Sequence, residues 1–331
     1  MVKIVAEISA NHQGKLEQAK ALIWHAKNAG ADAVKIQTFT PDSLTIDCNK
    51  PHFIVQDPQS PWYGRKLYDL YREGMTPREW HSELFNYAKE IDITLFSSPF
   101  SKHDVDFLEN LNCPMYKIAS FEANHPAFIS YVASTRKPII ISTGVLSLTQ
   151  MNEAISAAKS ASKITLLHCV SRYPLFPEDA HLNQIPNLKS KFPDCDIGFS
   201  DHSLGRDITV AAVALGAKMI EKHITINRDA LDGKFALTPI EFQLMVNSCR
   251  IANLAVNPPD PFAYFRNKNS PFARSIFVGK DIEQGEEIKD DNIVVVRPGM
   301  GIPPSKYPEV IGMRAKRFLG RGTPLAWGDL G

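Results

Sequence analysis

The chain has 331 residues, enough for one large domain or two ordinary ones, and 44 % of them are hydrophobic, which excludes fibrous and disordered classes. Lys and Arg number 37 against 36 Asp and Glu, so a net charge of +1 offers no global field to nucleic acid or an anionic membrane, and an anionic ligand must be met by a local cluster. Five scattered cysteines without a CxxC pair, an acid already at Glu7 and no run of roughly 18 apolar residues point to reduced thiols, no signal peptide and no membrane span, hence to a cytoplasmic protein.

In chain order, an apolar run at Lys3–Ser9 leads to a helical pattern at Leu16–Ala29, and Ala33–Gln37 follows. A segment rich in Pro, Asp and Tyr then runs from Thr38 to Thr76, the kind of insert that shapes a substrate site when it follows a barrel strand. Helix Pro77–Glu90, strand Thr94–Ser98, helix Val105–Leu111 and strands Met115–Ala119 and Pro138–Ser142 come next. The alternation continues through helix Leu148–Ala161, strands Lys163–Cys169 and Asp196–Ser200, helix Asp207–Leu215 and strand Ala217–Lys222. About eight strand–helix units in roughly 255 residues imply a parallel (β/α)8 TIM barrel. An open doubly wound sheet is the runner-up, and the first strand–helix turn, Ala10-Asn11-His12-Gln13-Gly14, lacks its GxGxxG loop. Beyond residue 256 the texture changes. Asn257-Pro258-Pro259-Asp260-Pro261 opens a linker over 257–270, and 271–331 reads as a small β domain. It carries a weak repeat in which Ile282, Gly285, Ile288 and Ile293 match Leu319, Gly322, Leu325 and Leu330, an offset of 37 residues.

Barrel chemistry sits where strands end, and all eight predicted ends carry polar groups. Lys35 and Lys117 lie inside apolar runs, where a lysine needs a partner. With Ser98, Ser120 and Ser142 they suit a small phosphate or carboxylate ligand; structural pairing with Glu7 or Glu122 is the alternative. His202 and His223 end neighbouring strands, each next to an acid, Asp201 and Glu221, a pattern that suits a divalent metal with open positions or is merely structural. His12 and His168 read as structural, Arg297 as a surface arginine before a turn, and Phe272 as core.

The motifs Ala6-Glu7-Ile8-Ser9-Ala10-Asn11-His12, Lys35-Ile36-Gln37-Thr38, Phe96-Ser97-Ser98-Pro99-Phe100, Tyr116-Lys117-Ile118-Ala119-Ser120, Ser142-Thr143-Gly144, Ser200-Asp201-His202 and Glu221-Lys222-His223 resemble the sialic acid synthase family in order and spacing. That family joins phosphoenolpyruvate to an N-acylated aldose. The tail from Pro271, with Lys280-Asp281-Ile282 and Arg297-Pro298-Gly299, resembles its antifreeze-like (SAF) domain. Within the family, Thr38–Thr45, Ile118–Asn124 and Asp232-Gly233-Lys234-Phe235-Ala236-Leu237 are most similar to pseudaminic acid synthases, although those commonly show Ser at the positions of Gly233 and Ala236. The resemblance implies a homodimer with exchanged small domains and His202 and His223 as ligands of a divalent ion, Mn²⁺ first and Mg²⁺ or Co²⁺ as substitutes. It places Lys35, Ser98, Lys117, Ser120, Ser142 and Ser171 around phosphoenolpyruvate. Glu7, Gln37, Glu122, Tyr173 and Asp232 then face the sugar and water, with Phe272 and Arg297 as further substrate-binding groups; Glu7, Asp232 and Glu122 are the catalytic set.

The implied sugar is 2,4-diacetamido-2,4,6-trideoxy-L-altrose. An N-acetylmannosamine-type sugar is the alternative, as in N-acetylneuraminate or legionaminate synthases. A metal-dependent aldolase or a related synthase making a shorter keto acid has no need of the small domain. An ice- or carbohydrate-binding protein would leave eight polar strand ends without purpose.

Overall fold

The computed structural model describes residues 1–58, 60–260 and 270–331, and most of the linker expected at 257–270 lies outside the described residues. The chain divides into two units, Met1–Asn257 and Pro258–Gly331.

The first unit is a closed parallel barrel of eight strands in sequential order. Its elements are β1 (Lys3–Glu7), α1 (Leu16–Asn28), β2 (Ala33–Thr38), α2 (Pro41–Leu44), α3 (Leu67–Gly74), α4 (Arg78–Glu90), β3 (Thr94–Pro99), α5 (Lys102–Asn110), β4 (Tyr116–Ile118) and α6 (Pro126–Ala133). They continue as β5 (Ile139–Ser142), α7 (Leu148–Ala157), β6 (Ile164–Cys169), α8 (Gln184–Lys191), β7 (Asp196–Asp201), α9 (Asp207–Ala214), β8 (Met219–His223) and α10 (Pro239–Val256). The strands follow the apolar runs, with small shifts: β1 stops at Glu7, and β4 shrinks to three residues. Helix ends follow local chemistry. α7 and α10 begin in capping boxes, Ser147 with Gln150 and Thr238 with Glu241, which satisfy first-turn amides. The Leu148 helix stops at Ala157, short of the expected Ala161.

Register places the chemistry. Glu7 lies opposite Lys35 on β2 and opposite His223 on β8, so these three side chains share one level of the barrel. Gln37 pairs with Ser98, and Ser200 with Glu221. Because side chains alternate between faces, Lys35, Gln37, Ser200, His202, Glu221 and His223 point inward, while Ile36, Asp201 and Lys222 point out to the helices.

The second unit pairs β9 (Ser275–Val278) antiparallel with β10 (Ile293–Val296) and carries one short helix, α11 (Tyr307–Val310), around its own core. The repeat is a pseudo-two-fold in the backbone. Ile282 and Leu319, equivalent under the offset, exchange both hydrogen bonds with each other (3.0 and 2.9 Å). The bonds Val278 N–H to Thr323 O (2.9 Å) and Gly322 N–H to Val278 O (2.8 Å) recur as Ala315 N–H to Glu286 O (2.9 Å) and Gly285 N–H to Ala315 O (2.7 Å). Gly285 and Gly322 turn the two copies at φ of 85° and 86°, a left-handed conformation that favours glycine.

Candidate active site

A cavity of about 500 Å³ occupies the barrel mouth and is lined by Glu7, Lys35, Gln37, Lys117, Ser120, Glu122, Ser142, Tyr173, His202, His223 and Asp232, among others. Eleven of the residues singled out from the sequence therefore converge on one space. Ser98 lies just behind, buried and hydrogen-bonded by Lys35 Nζ at 3.3 Å. Ser171 lines a neighbouring recess instead. Its hydroxyl still approaches Ser120 over Gly144: a β-carbon on Gly144 would overlap Ser171 Oγ and sit 2.8 Å from Ser120 Oγ, which accepts the Gly144 N–H at 3.0 Å.

The floor is a charge cluster. Lys35 pairs with Glu7, whose Oε1 accepts the Ser9 N–H at 2.7 Å; Glu221 Oε1 lies 3.8 Å from Lys35 and 3.9 Å from Lys117, and Lys117 donates to Ser142 Oγ at 2.6 Å. Burial works against charge on Lys35, but Glu221 and Glu7 outweigh it and hold the ammonium above its ordinary range. At Lys117 burial wins, helped by Lys35, and the pKa falls. Glu221 is likewise opposed by burial, yet Lys117, Lys35 and the two imidazoles keep it well below the usual carboxylate range. The expected pairing of Lys117 with Glu122 is absent. Burial instead pushes the Glu122 carboxyl up to about 7, and its Oε2 has no partner.

The imidazoles of His202 and His223 have ring centroids 5.5 Å apart. His202 Nδ1 lies 3.2 Å from Val170 O, which as a donor contact leaves Nε2 to accept or ligate. His223 Nδ1 is buried without a hydrogen bond, 3.3 Å from Asp232 Oδ2. The acid next to His202 in sequence does not join it. Asp201 is on the outer face, bound to Lys222 Nζ at 2.7 Å, Thr209 Oγ1 at 2.5 Å and Ser203 N–H at 2.8 Å, so it corrects the expectation that an acid adjoins each histidine. Among the described residues no three His, Cys, Asp or Glu side chains are grouped to hold a metal. The donor chemistry nevertheless fits a divalent ion on two imidazoles with positions left open. Glu7, Glu221 and Asp232 outnumber Lys35 and Lys117 in the lining, a balance compatible with an added cation.

Sequence reading named Tyr173 but missed the rest of the aromatic wall around it. Trp62, from the Thr38–Thr76 insert, donates its indole N–H to Leu231 O at 3.3 Å and packs on Tyr173 and Phe235, which shelter the imidazoles at 4.2 Å (Tyr173 to His202) and 5.0 Å (Phe235 to His223) between centroids. Pro61-Trp62-Tyr63-Gly64, an aromatic pair in a turn-prone insert, was its one sequence signal. His168 is structural as expected, placed 2.8 Å from Ala180 O and stacked on Phe199.

In the second unit Arg297 is exposed and has no hydrogen-bond or ion-pair partner among the described residues. Its turn is tied by Ser275 Oγ, which donates to Pro298 O at 2.8 Å and accepts the Gly301 N–H at 2.8 Å. A β-carbon on Gly299 would come 2.7 Å from Ser270 O, so glycine lets the Phe272 turn lie against it. Phe272 is largely exposed, not core, and shares that surface with Arg297.

Residues 22–258 match the NeuB family and residues 273–331 the SAF domain. Pseudaminic acid synthase of Helicobacter pylori is 42 % identical over 334 residues, 99 % of this chain and 97 % of that one. N,N'-diacetyllegionaminic acid synthase of Legionella pneumophila is 32 % identical over 98 % of this chain and 93 % of that one. The crystal structure of the spore coat polysaccharide biosynthesis protein SpsE of Bacillus subtilis superposes with a TM-score of 0.66 at 34 % identity, covering 100 % of this chain and 95 % of that one.

Proposed function

The chain belongs to the NeuB family, and from that premise we propose that it condenses phosphoenolpyruvate with 2,4-diacetamido-2,4,6-trideoxy-L-altrose to give pseudaminic acid and phosphate. The observation that carries the reading is the level ring of Lys35, Glu7 and His223, with Lys117 and His202 beside it, in one cavity at the barrel mouth.

Lys35 and Lys117, with Ser120 and Ser142, hold the carboxylate and phosphate of phosphoenolpyruvate by charge-assisted hydrogen bonds. His202 and His223 would hold a divalent ion, Mn²⁺ first and Mg²⁺ or Co²⁺ as substitutes. When bound it supplies Lewis-acid stabilisation of the charge that develops on the sugar's carbonyl oxygen. Gln37, Tyr173, Asp232 and a protonated Glu122 orient the open-chain aldehyde so that C3 of the enol phosphate attacks C1. Glu7, fixed by the Ser9 N–H and Lys35, takes the proton of the water that adds to C2, and breakage of the C2–O bond then releases phosphate. Trp62 and Phe235 keep bulk water from the imidazoles. The small domain of a second copy presents Arg297 and Phe272 to the sugar's acyl groups, in a cytoplasmic homodimer.

Phosphate release from phosphoenolpyruvate with Mn²⁺, run against a sugar panel with product masses, tests the reaction. Turnover with the diacetamido-trideoxy-altrose is expected. Preference for N-acetylmannosamine-type sugars would move the chain to the neuraminate or legionaminate branch, and no release with any sugar would overturn the synthase reading. Mixing an inactive chain, Glu7→Gln, with one impaired in sugar binding, Arg297→Ala, at a sugar concentration too low for either alone to turn over, tests the exchange. If Arg297 acts in the other subunit, the mixed dimer contains one intact composite site and activity returns; if it acts in its own, activity stays absent.

A further inference from the structure

We infer that Asn11 and Trp62 are positioning residues that grip the two polar groups of a single peptide unit, Leu231–Asp232, and so aim the Asp232 carboxylate at Nδ1 of His223. Asp232 sits in the loop that follows β8 and lines the cavity. The peptide bond just before it is held twice. Its carbonyl, Leu231 O, accepts the Trp62 indole N–H at 3.3 Å, and its amide, Asp232 N–H, donates to Asn11 Oδ1 at 3.2 Å. In a trans peptide these two groups point in opposite directions, so the insert grips the unit from one side and the loop after β1 from the other. Leu231 is held a third time, by its side chain. A β-carbon on Gly74, the last residue of α3, would come 3.1 Å from Leu231 Cδ2, so glycine there lets the insert close down on it.

Both grips are anchored in the barrel. Asn11 is fully buried, and its other amide atom, Nδ2, donates to Ile224 O at 2.9 Å, while Ile224 N–H donates to Glu7 O at 2.9 Å. One side chain thus ties the Asp232 loop to the ends of β1 and β8 together. Trp62 is fixed by its packing on Tyr173 and Phe235. The carboxylate these contacts place has little tolerance. Asp232 Oδ2 lies 3.3 Å from His223 Nδ1, and that nitrogen is buried without a hydrogen bond, so a small movement of the peptide decides whether the bond forms. A neutral imidazole that gives its Nδ1 hydrogen to Asp232 turns Nε2 outward as a lone-pair donor. The consequence for a divalent ion rests on the reading that His202 and His223 hold one. A merely structural Asn11 would stabilise the barrel without affecting how the folded protein binds that ion.

Calorimetric titration of the full chain with Mn²⁺ alone, without substrates, tests the grip. Asp232→Asn should raise the dissociation constant, and Asn11→Leu should raise it about tenfold, the lower end of the effect of losing an outer partner of a metal-binding histidine. Trp62→Phe keeps a ring against Tyr173 and Phe235 and loses only the N–H, so about threefold is expected, the size of one hydrogen bond. In an Asp232→Asn background neither Asn11→Leu nor Trp62→Phe should weaken binding further, because their route to His223 is gone. Losses that simply add, or an unchanged constant in both single variants, overturn the inference. Should Asn11→Leu fail to fold, Trp62→Phe alone carries these comparisons. Crystal structures of the metal-free variants give a second arm. The Asp232 carboxylate should leave hydrogen-bond reach of His223 Nδ1 while the barrel register is kept, and a carboxylate still 3.3 Å away overturns the grip. A parent chain that binds no Mn²⁺ overturns the metal reading of the two histidines, and the crystallographic arm still decides the grip.

Discussion

Two sets of buried charges stand back to back on β7 and β8. On the outer face every atom is answered: Asp201 accepts from Lys222, Thr209 and the Ser203 N–H, and Lys222 also donates to Ser203 O. On the inner face, on either side of Lys222 along β8, Glu221 Oε2 and His223 Nδ1 are buried without a hydrogen bond, and Glu122 Oε2 across the cavity is in the same state. Burying a polar group without a partner costs on the order of 1–3 kcal/mol. The inner face tolerates that cost where a ligand can relieve it, and the outer face does not. On these two strands, then, the outer charges serve structure, and the unsatisfied inner groups open into the cavity.

The largest effect that would break this contrast is at Glu7. Glu7→Gln keeps the shape and removes the charge, so kcat per folded molecule should fall roughly a thousandfold, the order assigned to a general base, beyond any loss of stability from unpairing Lys35. Near-normal turnover would remove Glu7 from the catalytic set. On the outer face the effect should be the reverse. Asp201→Ala leaves Lys222 buried and unpaired, which costs about 3–5 kcal/mol of stability. Denaturant unfolding measures it, while kcat per folded molecule at low temperature stays within about twofold. A large kcat loss at unchanged stability would show that the outer pair also belongs to the chemistry.

A smaller effect is expected for ligand binding itself. Three carboxylates, Glu7, Glu221 and Asp232, face two ammonium groups in the cavity, so a dianionic or trianionic substrate meets a net repulsive floor. Calorimetry should find phosphoenolpyruvate binding weakened by about ten- to a hundredfold in chelator-treated protein relative to protein with Mn²⁺, a difference of about 1.4–2.7 kcal/mol. Equal affinity would show that the lysines suffice.

What was legible in the sequence follows the same division. Lys35, Lys117, His202 and His223 could be read because a polar residue at the end of an apolar strand has few places to go. Pairing His202 with Asp201 failed because neighbours on a strand point to opposite faces. The repeat in the small domain was legible since each half imposes the same turn glycine and the same buried apolar positions. Trp62 was not, because its place beside Tyr173 and Phe235 depends on how a long insert folds back over β6 and β8, and no local period encodes that. Phe272 was read as core from its type alone, although its turn is held at the surface by Gly299.

The smallest expected effect is the most specific to the inner face. Burial raises the Glu122 carboxyl to about 7 because no cation is close enough to compensate, Lys117 acting only at a distance. An acid raised in the native state binds a proton that the unfolded chain has already released between its ordinary value of 4.5 and about 7, so its contribution to stability falls as pH rises through that window. A neutral Glu122 donates a hydrogen bond to the sugar; an ionised one cannot. The KM for the sugar should therefore rise a few-fold across pH 7, and Glu122→Gln, a permanent donor of similar shape, should flatten both the KM profile and the stability slope. A KM step that survives in Glu122→Gln would assign the titration to another group. A flat profile in the parent protein would mean that ligand or cation binding ionises Glu122, placing this carboxyl with the satisfied charges of the outer face.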